Sequence, residues 1–200
     1  LKLEKEPGNP NRGMKQTAIY FTEAWLVLGL ALIFGAALAG VQTGLHPKIE
    51  ANKRAETMRQ IPSLVPGAKE SEPAGEAGLR AWRALGDGGE TAGWVVLASG
   101  QGFAGPIELL VGVDADLDKI TGLYVLSQTE TPGLGNKIAA EDWREQFRGM
   151  DAQTGLEVTK QEAGPHEIQA ITGATISSRS VVQIVNNTLR QFRTIKQAGS

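Results

Sequence analysis

Between Ala24 and Val41 the chain carries no charged residue, and this run constrains the molecule more than any other stretch. Extended through Gln42 to Leu45, it would form a helix of about 30 Å, the thickness of a bilayer's hydrocarbon core. A single transmembrane helix over residues 18–45 is therefore expected, with residues 1–17 as an N-terminal tail before it. The small-residue run Gly35 to Gly40 imitates a cleavage site, but the apolar core of a cleaved leader is shorter, which favours a retained anchor. Tyr20, Phe21 and Trp25 suit a membrane interface, and Glu23 sits at the edge of the span, where its carboxylate reaches water. Two strips of small residues, Ala31, Gly35, Ala39 and Ala36, Gly40, Gly44, would admit close approach by neighbouring helices. Lys2, Lys5, Arg12 and Lys15 on one side balance Lys48, Lys53, Arg54 and Arg59 on the other, so positive charge gives no orientation.

Beyond the span the periodicity predicts an α+β class, with an antiparallel sheet packed by helices. Residues 46–66 read as a stalk helix with Ile49, Ala55, Met58 and Ile61 on its apolar side, ended by Pro62 and Pro66. The domain proper is expected over residues 67–200. Its first part, residues 67–90, is rich in Gly, Glu and Ala and reads as loops around an apolar patch at Leu79, Trp82 and Leu85. Three β-prone runs follow, Trp94 to Ala98, Ile107 to Val113 and Ile120 to Ser127, and their short links favour a meander. Glu141 to Phe147 reads as a short helix whose Trp143 and Phe147 share a side and pack the core. A final helix from Ser177 to Ile195 presents Val181, Ile184, Val185, Leu189, Phe192 and Ile195 as one apolar face.

Composition excludes several chemistries. With 20 basic and 22 acidic residues and no basic tract, nucleic acid is not an expected partner. Without cysteine the chain cannot hold a disulfide, a thiolate zinc site or a cysteine-ligated iron–sulfur cluster, so any redox chemistry must come from a bound organic cofactor or a partner. Gly100-Gln101-Gly102-Phe103-Ala104-Gly105 matches a dinucleotide-binding fingerprint literally, yet Pro106 and a strand follow where a helix is needed, so a hairpin turn is the better reading. Asp114, Asp116 and Asp118 lack the glycine and glutamate of a calcium loop, and His46 and His166 lack metal-ligand spacing.

Chemistry concentrates at Ile171-Thr172-Gly173-Ala174-Thr175-Ile176-Ser177-Ser178-Arg179, a hydroxyl-rich turn before the final helix. The first amides of a helix lack internal partners and the dipole is positive there, so an anion beside Thr175, Ser177 and Ser178 would be stabilised. An ordinary helix cap is the competing account.

Two segments together carry a resemblance. Thr172-Gly173-Ala174-Thr175-Ile176-Ser177 resembles the flavinylation motif of the FMN-binding domain family, and Glu130-Thr131-Pro132-Gly133-Leu134-Gly135 resembles a second loop of that family, with Trp143 and Phe147 following. The family includes the G subunit of Rnf-type electron-transport complexes and the C subunit of the sodium-pumping NADH:quinone oxidoreductase; the shortness of this chain suits the former, with the latter, or a stand-alone FMN domain of another reductase, as the alternative. The resemblance implies FMN joined through its phosphate to Thr175. Thr172, Gly173, Ala174 and Ser177 would shape the phosphate end, with Arg179 as counter-charge, while Glu130, Thr131, Gly133, Leu134 and Gly135 would line the ring system. It further implies an electron-relaying subunit without a complete active site of its own, in a complex coupling ferredoxin and NAD chemistry to ion transport. Other membrane subunits and a flavin transferase would be its partners. The location implied is the bacterial inner membrane, with residues 1–17 as a cytoplasmic tail and the C-terminal domain outside the cytoplasm. The chain departs from the family pattern at Gln169, where the transferase recognition sequence usually has Asp. That departure keeps open an unflavinylated, membrane-anchored scaffold in which the turn is only a cap.

Overall fold

The computed structural model describes residues 11–198, with side chains from Ala24 onward. The expected readings for residues 1–10, and for the side chains of Arg12, Lys15, Tyr20, Phe21 and Glu23, lie outside the described residues. The chain forms two compact units divided between Asn52 and Lys53.

In the first unit, helix α1, which spans Asn11–Leu64, contains the uncharged run. Its richest window has a mean hydropathy of 2.3 and is wholly uncovered by protein, so α1 is long and apolar enough to cross a membrane. Leu28, Leu32 and Leu38 are each about seventy per cent exposed or more, and a helix apolar on every side needs apolar surroundings. Thr43 donates its hydroxyl to the Ala39 carbonyl at 2.8 Å, satisfying a polar group within the helix itself.

The second unit begins with the last turns of α1. Five strands form one antiparallel sheet in sequence order: β1 (Glu70–Pro73), β2 (Ala81–Leu85), β3 (Thr91–Gln101), β4 (Pro106–Asp114) and β5 (Ile120–Gln128). The expected meander is thus present, and larger than the three runs suggested. Residues 67–90 are not merely loops. Their two strands escaped the periodicity because edge strand β1 carries exposed Glu70 and Glu72, and only pairing with β3 defines β2. After β5 come a 3-10 turn (Gly135–Ala139), a single α-turn α2 (Glu141–Arg144) and a 3-10 turn (Glu145–Phe147), where one short helix was expected. A short parallel pair, β6 (Glu157–Thr159) and β7 (Glu167–Gln169), precedes helix α3 (Thr175–Ala198).

The sheet is covered on both faces, which explains why β3 and β4 read as nearly continuous apolar runs. Leu109, Val111 and Val113 face a core shared with Trp143, Phe147 and the Val181, Ile184, Val185 and Leu189 face of α3. On the opposite side Leu110 and Val95 meet Ile61, Leu64 and Val65 at the end of α1. Contact there is backbone-close: Gly112 and Gly122 are register partners, and a Cβ on Gly112 would stand 2.6 Å from the Leu64 carbonyl oxygen. Thr121 donates to that same oxygen at 2.6 Å.

The covered side of this helix segment differs from the expected one. Thr57, Ile61 and Leu64 are buried, while Ile49, Ala55 and Met58 are exposed. Polar contacts reinforce the buried side, since Lys53 pairs with Glu108 and Tyr124 donates to Glu56 at 2.9 Å. Helix α1 also passes Pro62, which occupies its last turn, and stops at Leu64.

Candidate functional site

Three loops converge on the start of α3, and a buried carboxylate joins them. Glu130 is 4% exposed. The Ala104 amide, in the β3–β4 turn, donates to its Oε1 at 3.0 Å, and the Ser177 hydroxyl, in the first turn of α3, donates to its Oε2. A buried carboxylate is costly without such donors. Glycine supplies the room: a Cβ on Gly102 would collide with Oε1, and one on Gly135 would stand 2.6 Å from Oε2. The loop carrying Glu130 turns back immediately through Thr131-Pro132-Gly133-Leu134, closed by the Leu134 amide donating to the Thr131 carbonyl at 3.2 Å. Gly133, at φ +76°, supplies the positive φ that a type II turn requires at its second central position, and Pro132 is favoured at the first.

The turn before α3 is locked by its own helix. Ser178, fully buried, accepts from the Ile171 amide and donates to the Ala174 carbonyl, both at 3.1 Å. Gly173, at φ +80°, allows the reversal. Ser177 and Ser178 therefore point inward and act as struts, whereas Thr175 stays half-buried at the head of α3. No loop carbonyl claims the amides of Thr175, Ile176 or Ser177 among the described residues, so these first-turn donors remain available.

They open onto a cleft of about 420 Å³, within the roughly 300–1,000 Å³ usual for small-molecule sites. Seven residues singled out by the sequence line it: Thr131, Leu134 and Gly135 from one loop, and Gly173, Ala174, Thr175 and Ser177 from the other. Glu130 and Gly133 do not; they act from beneath, as pin and turn. Thr172 is exposed outside the lining, and Arg179 faces a separate groove beside Glu157 and Asn186.

Three lining residues were missed: Phe103, Lys160 and Ile176. Phe103 lies in the glycine-rich segment, which is indeed a hairpin turn, closed by the Gly102 amide donating to the Gly105 carbonyl at 2.8 Å. Ile176 could have been suspected, since it falls off the apolar face of α3. Lys160, in the β6–β7 connection, carries no local signal.

Neighbouring features have structural explanations. Trp143 and Phe147 pack edge to face, 5.3 Å between centroids, in the core, and the Trp143 indole donates to the Gln169 carbonyl at 2.9 Å. Gln169 itself is exposed and lines a second groove of about 600 Å³, with Trp143, Asp142 and Lys137. That groove is larger but lacks the convergence on a helix start, so the Thr175 cleft is the better candidate. Asp114 accepts from the amides of Asp118 and Lys119, capping the β4–β5 turn.

The profile of the FMN-binding domain family matches residues 102–190, which include all three converging loops. Over 200 aligned positions, covering 93% of this chain and 89% of the relative, the chain is 31% identical to the G subunit of the ion-translocating oxidoreductase complex of Cereibacter sphaeroides. The chain belongs to this G-subunit family. Within that family it is 38% identical over 117 residues to the G subunit of the proton-translocating ferredoxin:NAD(+) oxidoreductase complex of Clostridium ljungdahlii, a match covering 58% of this chain and 62% of the relative, less than two thirds of the latter's length. The fold is shared with the C subunit of the Na(+)-translocating NADH-quinone reductase of Parabacteroides distasonis, at 28% identity and a TM-score of 0.50 over 56% of this chain and 59% of that one.

Proposed function

We propose that this G-subunit homologue is a membrane-anchored flavoprotein electron carrier whose FMN is joined through its phosphate to Thr175. The observation that carries the reading is the position of Thr175: a half-exposed hydroxyl at the head of a long helix, with free first-turn amides, at the wall of a cleft of about 420 Å³. The cleft's lining suits the group. It includes groups for both phosphate and ring: the α3 amides and Lys160 would hold the phosphate, and Leu134 and the backbone of Gly135 would border the ring. Bound FMN would supply reversible one- and two-electron chemistry that none of the chain's own side chains can perform.

The chain's residues have binding roles. Thr175 provides the attachment oxygen, Gly173 and Ala174 shape the phosphate end, and Thr131, Leu134 and Gly135 border the ring. Lys160 serves as cleft counter-charge in preference to Arg179, with Thr172 on the outer side of the turn. A covalent tether holds the cofactor in either redox state without a closed pocket, which suits exchange with neighbouring subunits. Those partners would be the other membrane subunits of an Rnf-type complex, with a flavin transferase for maturation, and ion transport would belong to the assembly. The apolar segment of α1 would cross the bacterial inner membrane, leaving the FMN-binding domain on its extracytoplasmic side.

Mass spectrometry of the peptide containing Thr175, from protein purified out of native membranes, tests the proposal. FMN on that peptide, absent from Thr175→Ala, supports it. Unmodified Thr175 in cells with an active flavin transferase would reject covalent attachment and leave the scaffold reading, with Gln169 as the cause.

A further inference from the structure

Among the described residues from Lys53 onward, four large apolar side chains are conspicuously exposed: Met58, Phe103, Leu134 and Ile176. Three of these line one cleft, the one headed by Thr175. Phe103 is the largest and, at 62%, the most exposed of them. Apolar surface gathered in a concavity, next to polar donors that serve an anion, fits a ligand with a charged end and a flat apolar end.

Phe103 does not reach the cleft by chance mobility of a loop tip. The turn that bears it is fixed at three points. The Gly102 amide donates to the Gly105 carbonyl at 2.8 Å, and the Ala104 amide donates to Glu130 at 3.0 Å. Gly105 packs so closely on Thr129 that a Cβ there would collide with the Thr129 hydroxyl, and a Cβ on Gly102 would meet Ile107 Cδ1 at 2.7 Å besides Glu130. Glu130 in turn holds Ser177, two residues after Thr175. One buried carboxylate therefore sets the spacing between the aromatic tip and the start of α3. The glycines serve close backbone packing.

We propose that Phe103 is a ring-binding residue of the Thr175 cleft, contacting the isoalloxazine of the tethered flavin, and that Glu130 is the positioning residue that holds the turn of Phe103 against α3. This rests on the covalent-FMN reading above and adds to it a hairpin whose only recognisable motif had pointed elsewhere.

The test uses full-length protein produced with its flavin transferase, as wild type and as Phe103→Ala, Phe103→Tyr and Met58→Ala. Mass spectrometry first establishes FMN on the Thr175 peptide in each. Flavin emission, its anisotropy and its quenching by iodide are then measured, with thermal melting as a check on folding. The expected result is full loading throughout and unchanged melting. Phe103→Ala shifts the ratio of docked to free ring about two- to tenfold toward free, the effect of losing one aromatic contact, read as higher iodide quenching and lower anisotropy. Tyr restores both readings, and Met58→Ala matches wild type. Loaded Phe103→Ala with wild-type quenching and anisotropy would overturn the inference while leaving covalent attachment intact. Wild-type protein lacking FMN on the Thr175 peptide would overturn the functional reading and this inference with it.

Discussion

The hydroxyl of Ser177 donates to the carboxylate of Glu130, 47 residues earlier in the chain. Both side chains are buried, and the bond ties the first turn of α3 to the loop that borders the cleft. Removing the carboxylate leaves the Ser177 hydroxyl and the Ala104 amide without their partner. Glu130→Ala is expected to destabilise the protein by about 1–3 kcal/mol, the usual cost of a stranded buried polar group. Thermal melting of the full chain measures it, and a wild-type transition would refute the pin.

Close packing of α1 on the sheet predicts a second cost. Gly112→Ala puts a methyl 2.6 Å from the Leu64 carbonyl oxygen, backbone that cannot turn aside. Separation of helix end and sheet should cost about 1–3 kcal/mol, as overpacking usually does. Thermal melting of Gly112→Ala against wild type checks this, and an unshifted transition would contradict the close contact.

Tyr124 predicts an alkaline limb of stability. Burial raises its phenol above the ordinary tyrosine range, and the adjoining Glu56 carboxylate raises it further. The sign follows: with the folded value above the unfolded one, the contribution is complete below the unfolded value near 10 and is lost as pH rises through the folded value. Tyr124→Phe should lower stability at neutral pH by about 1 kcal/mol, the worth of its bond to Glu56, and flatten the decline above pH 10 in melting curves.

Asp151 gives the acid counterpart. The Gln153 amide, donating to its Oδ1 at 2.6 Å, holds its carboxyl below the ordinary aspartate range, with Thr154 and His166 assisting. A depressed folded value contributes stability above the unfolded value, lost as pH falls through the folded one. Asp151→Asn should therefore remove part of the acid-side decline below pH 4 in melting curves, and an unaltered profile would contradict it.

Lys160 and Arg179 separate by location. Only Lys160 lines the cleft. Exposed charge contributes up to about 1 kcal/mol, so Lys160→Gln should slow FMN incorporation up to about fivefold, followed by in-gel flavin fluorescence. Arg179→Gln should leave the rate unchanged, and equal effects would count against the assignment.

Much of the site was legible because its motifs are local. The loop at Glu130 to Gly135 and the hydroxyl-rich turn before the final helix are each a few consecutive residues, and seven named residues do line one cleft, although α3 begins at Thr175, two residues before the expected Ser177. Local motifs could not distinguish lining from support. Glu130 reads like a ligand residue and proves to be a buried pin, because burial depends on what covers it. Phe103 sits in a glycine-rich segment whose sequence points to a hairpin turn and not to a ligand, and nothing adjacent to Lys160 marks it.

The fold divides in the same way. An uncharged run long enough to span a bilayer, the three strands β3 to β5 and the apolar face of α3 are properties of contiguous residues, and the sequence alone determined them. Strands β1 and β2, the packing of Leu64 over Gly112 and Gly122, and the junction of Glu130, Ser177 and the turn of Phe103 were decided only by tertiary structure. An edge strand takes its conformation from the hydrogen bonds of a neighbour, and a glycine bed takes its meaning from the backbone that lies on it. Neither relation belongs to a single contiguous segment, so neither leaves a periodic trace.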